Sequence, residues 1–168
     1  MPYALAGKLA WPKRPVIALV GDGAMQMNGI NTLITVADRW RDWDNPSFVV
    51  LVLNNGDLNL VTWEQRVMGG DPRFQDSQRL PPFSYAEYGK LLGLEGIRVA
   101  EGGQVSSALD RAFEADRPVV LEIMADPEIP PMPPHITPKQ FGAYMQALRK
   151  DPAGGAALRA TLKQWWAG

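Results

Sequence analysis

The chain has no cysteine. A disulfide framework, a thiolate nucleophile and a cysteine-ligated metal are therefore all excluded. It has one histidine, His135, set among prolines. A lone histidine there reads as a surface or capping group rather than a catalyst. No apolar run approaches the roughly 18 residues that cross a membrane. Residues 1–14 show no apolar stretch followed by a secretory cleavage site. Charge of one sign is also missing. Seventeen basic and eighteen acidic side chains give a net charge of −1, mixed along the chain, so neither a nucleic-acid stripe nor an acidic tail is present. These absences fit a reducing, cytoplasmic setting and a partner that is not nucleic acid. The chain's 168 residues are enough to bury a substantial core.

Two β-branched apolar runs, Pro15–Val20 and Phe48–Leu53, read as strands buried on both faces. Between them, Ile30, Leu33, Ile34, Ala37 and Trp40 recur at helical spacing, predicting a helix over 28–40. Strand, helix and strand make a βαβ unit. Further on, Tyr85–Leu92 reads as a helix with Ser84 as N-cap, 96–100 as a strand, Gln104–Ala115 as a helix and Pro118–Met124 as a strand. The stretch 56–70 reads as a loop turning helical near Val61–Met68. A proline-rich connector and two helices, near 138–150 and 153–166, complete the chain. The pattern predicts a doubly wound α/β fold, with a mainly parallel sheet and helices on both faces. We expect residues 1–126 to form that domain and residues 127–168 to supply a connector and helices that pack on it.

Each of the first two strands runs into a motif: Gly21-Asp22-Gly23 after one, Asn54-Asn55 after the other. Ligands in such sheets bind at the carboxyl ends of strands. A carboxylate from Asp22 and a carboxamide from Asn55 suit Mg²⁺, which takes oxygen ligands and shares its shell with phosphates. A main-chain carbonyl near Asp57 completes the protein's share. Glycines at 21 and 23 permit close backbone approach, and N–H groups around Gly23, Ala24 and Met25 suit phosphate oxygens. Taken singly, each motif is also ordinary turn chemistry; it is their conjunction after two buried strands that points to a site. A Walker-type glycine-rich loop with lysine is absent, which disfavours other phosphate-binding α/β proteins.

These motifs resemble those of the C-terminal, diphosphate-binding domain of thiamine-diphosphate enzymes of the pyruvate oxidase and acetolactate synthase type. The resemblance is carried by Gly21-Asp22-Gly23-Ala24-Met25-Gln26-Met27, by Leu53-Asn54-Asn55-Gly56-Asp57-Leu58-Asn59 and by Val61-Thr62-Trp63-Glu64-Gln65-Arg66. It continues in 96–99 and 117–122, and Ile129-Pro130-Pro131 looks closest to the pyruvate oxidase branch. The resemblance implies thiamine diphosphate and Mg²⁺ as cofactors. The metal ligands would be the side chains of Asp22 and Asn55 and the carbonyl of Asp57. Gly21, Gly23, Ala24, Met25, Asn55, Leu58 and Asn59 would surround the cofactor, with Met25 and Met27 equally readable as core filling. Many relatives carry glycine where Asn59 stands.

The family's chemistry also needs a glutamate from a pyrimidine-binding (Pyr) domain, and FAD, where used, binds a further domain; neither is matched here. No residue is therefore assigned a catalytic role, and Glu64 and Glu87 read as surface groups. We expect the isolated chain to be inactive, whether it is a subunit that pairs with a separate Pyr chain, an excised domain or a truncated reading frame. The complete enzyme would take a small 2-oxo acid. The alternative is a non-catalytic, self-associating module without cofactor chemistry. A homodimer is expected in either case. Leu158, Leu162, Trp165 and Trp166, with Arg159 and Lys163 beside them, read as packing or as contact with a partner or membrane surface.

Overall fold

The computed structural model describes residues 1–130 and 136–167. His135 and the prolines around it lie outside the described residues. In chain order the elements are α1 (Pro2–Ala10), β1 (Val16–Gly21), α2 (Asp22–Ala24), α3 (Ile30–Arg39) and β2 (Phe48–Asn54). They continue with α4 (Asn59–Glu64), α5 (Gln75–Gln78), α6 (Tyr85–Leu91), β3 (Glu95–Val99), α7 (Val105–Glu114) and β4 (Val119–Met124). The last two are α8 (Pro138–Lys150) and α9 (Gly154–Ala167). Wide, π-type helical turns occupy Met25–Gly29 and Gln65–Gly69. Such turns recur at functional sites. The chain divides into two compact units, Met1–Asn54 with Pro82–Ala125, and Asn55–Pro81 with Asp126–Gly168.

The first unit is built on a four-stranded, wholly parallel sheet in the order β1-β2-β4-β3. Alternation along β2 explains its two-sided burial. Phe48, Val50 and Val52 meet Leu33 and Val36 of α3 and Tyr85 of α6 in one cluster. Val49 and Leu51 join Ile97, Val99, Leu121 and the α7 residues Ala108 and Ala112 in another. Helices lie on both faces of the sheet, but β1 is an edge strand with Ile17 and Leu19 exposed, so it is not the strand buried on both faces that its apolar run predicts. Each fully buried valine or leucine contributes about 1.5–3 kcal/mol. Ser84 caps α6 as expected, its hydroxyl accepting from the Glu87 N–H. The helix α1 was not anticipated: its sequence, PYALAGKLA, has no clean apolar stripe. It is anchored instead by Lys8, whose ammonium donates to the Arg14 carbonyl at 2.6 Å and the Ser47 carbonyl at 3.3 Å. Trp43 is buried in the first cluster and Trp40 packs against it.

The second unit is helical. Trp63, Tyr144, Leu148 and Ala157 form its core. A capping box between Thr137 and Gln140 starts α8, with Pro138 in its first turn. The Tyr144 hydroxyl lies 2.7 Å from that of Thr161, tying α8 to α9. Leu158 packs partly against this core, whereas Trp165 and Trp166 are more than four-fifths exposed. Among the described residues no helix is long and apolar enough to cross a membrane.

Candidate functional site

Register decides the geometry of the first motif. Gly21 of β1 stands opposite Leu53 of β2, so Asp22 and Asn54 follow at the same carboxyl edge of the sheet. Gly21 has ordinary extended backbone, with φ −78° and ψ 157°. It is exposed, and an added Cβ would meet no atom within 4 Å. The fold itself therefore does not demand glycine there; the open space is what a closely approaching ligand would use.

Asp22 is buried and rigidly held. Its Oδ1 accepts the Gly23 N–H at 2.9 Å. Its carbonyl accepts the Tyr85 hydroxyl at 3.0 Å and the Met25 N–H. Gln26 Nε2 in turn donates to the Tyr85 hydroxyl at 3.2 Å. Burial raises the Tyr85 pKa, and the nearby carboxylates of Asp22 and Glu122 push the same way against the Gln26 hydrogen bond. Tyr85 therefore stays a neutral donor. Met25 is fully buried in the core, so its side chain takes the core-filling role; Met27 is exposed. Ala24 is exposed and Gly23 half-buried.

Beneath this edge lies a group that the sequence reading passed over. Glu122 of β4 is 1% exposed. Its carboxylate accepts from Asn54 Nδ2 at 2.7 Å, the Ser84 hydroxyl at 3.2 Å and the Ala86 N–H at 3.1 Å. It thereby fixes the end of β2 to the start of α6, where a helix N-terminus favours negative charge. Its signal in the sequence was a single acid inside an apolar strand.

The second motif continues from Asn54 into the second unit. Asn55 Oδ1 accepts the Asp57 N–H at 3.1 Å, and Gly56 takes the left-handed conformation at φ 67°. Asp57 is buried. Its Oδ2 accepts the Thr62 hydroxyl at 2.7 Å, and its Oδ1 lies 2.9 Å from the Arg73 guanidinium. That last contact is off hydrogen-bonding angle, so it is chiefly Coulombic. Asp57 also faces Arg79 in an isolated antiparallel bridge. The bridge uses the Gly56 carbonyl and the Leu58 N–H, bonded to Leu80 and Gln78, and leaves the Asp57 carbonyl out of both bonds. Asn59 donates to the Pro127 carbonyl at 2.8 Å; Leu58 is half-buried. Glu64 is exposed, and Glu87, also exposed, pairs with Lys90 at 2.7 Å.

Among the described residues no group of three or more histidine, cysteine or acidic side chains is placed to hold a metal. A cation here would depend on one carboxylate, neutral oxygens and a ligand's own phosphates. That all-oxygen set suits Mg²⁺, and the space beside Gly21 suits a diphosphate. The residues present fit both groups.

Residues 1–123 match the family described as thiamine pyrophosphate enzyme, C-terminal TPP binding domain. The chain belongs to this family. The TPP-binding domain matched is that of the acetolactate synthase and decarboxylase type. The chain is 31% identical over 132 residues to the acetolactate synthase large subunit IlvG of Mycobacterium tuberculosis (strain ATCC 25618 / H37Rv), covering 76% of this chain and 22% of that protein. It is 30% identical over 155 residues to the acetolactate synthase large subunit of Haemophilus influenzae (strain ATCC 51907 / DSM 11121 / KW20 / Rd), covering 90% and 25%. Among solved structures it resembles the thiamine diphosphate-dependent 4-hydroxybenzoylformate decarboxylase of Rhodococcus jostii RHA1. The TM-score is 0.63 and the identity 25%, over 75% of this chain and 22% of that one. The chain spans about a quarter of the length of the curated relatives it matches.

Proposed function

We propose that this domain binds thiamine diphosphate through Mg²⁺ and serves the decarboxylation of a small, pyruvate-like 2-oxo acid. The observation that carries the reading is the Gly21–Asp22 corner: open space where a side chain would sit, beside a buried aspartate whose main-chain carbonyl accepts the Tyr85 hydroxyl. Asp22, Asn55 and the Asp57 carbonyl would hold the metal. Gly21, Gly23 and Ala24 would let the diphosphate approach the main chain. When bound, thiamine diphosphate supplies the electron sink for decarboxylation. The chain's own part is to bind and orient. Glu64 and Glu87 face solvent, so neither suits proton transfer to a bound cofactor. We therefore expect pyruvate to go unconsumed above a no-protein control; turnover by the chain alone would refute this point. Assembly with a second copy, or with a chain bearing a Pyr domain, belongs to the same reading. Sedimentation of the chain strictly at monomer mass would count against self-association.

A thermal-shift titration tests the binding. A ligand at 100 times its Kd stabilises the fold by about 2.7 kcal/mol. Thiamine diphosphate with Mg²⁺ should raise the midpoint, EDTA should abolish the rise, and Asp22→Ala should remove it. A rise unaffected by both would refute the metal assignment.

A further inference from the structure

We propose that Arg73 is a positioning residue for the Asp57 carbonyl, occupying the Asp57 carboxylate so that the main chain, and not the side chain, is offered to Mg²⁺. The proposal rests on the metal reading given above. A divalent cation prefers a free carboxylate to a peptide carbonyl. Asp57 would then compete with its own main chain as ligand. Both of its carboxylate oxygens are instead occupied: Oδ2 by the Thr62 hydroxyl, and Oδ1 by the Arg73 guanidinium. The turn at Gly56 and the Asn55 side chain on the Asp57 N–H fix the main chain around the carbonyl.

Arg73 is itself held from outside the family-matched region, which ends at residue 123. Its N–H donates to Asp151 Oδ2 at 3.0 Å, at the junction of α8 and α9. The same carboxylate is gripped by fully buried Arg66, with Nε at 2.9 Å and Nη2 at 2.7 Å. Arg66 also reaches Glu128 at 3.1 Å. Glu128, Arg66, Asp151, Arg73 and Asp57 thus form one chain of contacts from the C-terminal helices to the metal loop. Groups that orient a ligand typically change metal affinity 10- to 100-fold when removed.

The test is calorimetric titration of Mg²⁺, and separately of Ca²⁺, into the protein held with excess thiamine diphosphate. Wild type is compared with Arg73→Gln, Arg73→Lys and the double variant Asp57→Asn/Arg73→Gln. Arg73→Gln should strengthen Mg²⁺ binding by about tenfold, because it releases the carboxylate that a divalent cation prefers. It should also raise the affinity for Ca²⁺ relative to Mg²⁺, because Ca²⁺ accepts additional carboxylates. Arg73→Lys should restore the preference for Mg²⁺ in part. The double variant, with no carboxylate released, should return close to wild type. A merely structural role for Arg73 would not move the ratio of the two metals. Should Arg73→Gln fail to fold, the double variant carries the test: Mg²⁺ affinity near wild type supports the proposal, and its loss overturns it. Unchanged affinities and ratio in Arg73→Gln overturn the positioning role alone. Wild type that binds no thiamine diphosphate with Mg²⁺ overturns the proposed function and this inference with it.

Discussion

Glycine 21 and aspartate 151 each separate a demand of the fold from a demand of the site. At Gly21 the backbone is extended and a Cβ meets nothing. Replacing glycine by alanine where the conformation allows it stabilises by about 0.4–1 kcal/mol. Gly21→Ala should therefore leave the melting temperature equal or slightly higher while weakening thiamine diphosphate binding. A variant that binds normally would remove Gly21 from the site. Asp151 is tuned the other way. Burial alone would raise its pKa, but the N–H groups of Arg73 and Ala153 and the Arg66 guanidinium together hold it below the usual 3.8. A carboxyl depressed in the folded state contributes stability that is complete above its unfolded pKa. That contribution is lost as pH falls through the lowered folded value. Urea midpoints measured from pH 5 downward should thus fall more steeply for wild type than for Asp151→Asn. Parallel curves would contradict this. Asp22, Asn55 and Asp57 stand out in the sequence as candidate site residues because they sit in short motifs. Arg73 and Tyr85 do not, because their roles depend on partners 16 and 63 residues away along the chain.

The four strands and the principal helices followed from periodicity because tertiary packing here agrees with local pattern. What the pattern hides is close approach between elements. An added Cβ at Gly96 of β3 would collide with the Ala86 carbonyl of α6, and one at Gly89 of α6 would come within 2.8 Å of Val120. These glycines let α6 lie directly on the sheet, which in turn brings Ser84, Tyr85 and Ala86 to the site edge. Overpacking of this kind costs about 1–3 kcal/mol. Gly96→Ala should lower stability by that amount in urea unfolding, and a neutral result would mean that α6 is free to shift. Helix α1 escaped the sequence reading for a related reason: its anchor is a buried lysine, a residue type that pattern rules assign to the surface. The wide turns at Met25–Gly29 and Gln65–Gly69 have no periodic signature either.

At the scale of the whole molecule, the sequence reading placed its division near residue 126, guided by the proline-rich stretch. The compact units group Asn55–Pro81 with the C-terminal helices. The motif after β2 therefore belongs to a helical unit in which Arg66 pairs with Glu128 and Asp151, and Asp151 also accepts the Arg73 main-chain N–H. Such long-range ion pairing leaves no trace in local composition. The proposed function depends on one interaction, a diphosphate held through Mg²⁺ with Asp22 as its charged ligand. Isothermal titration of thiamine diphosphate into the chain, with excess Mg²⁺ and again with EDTA, for wild type and Asp22→Ala, measures it directly. Saturable binding by wild type with Mg²⁺ only, and none by Asp22→Ala, is the predicted result. Binding of equal affinity in EDTA, or in Asp22→Ala, would contradict it.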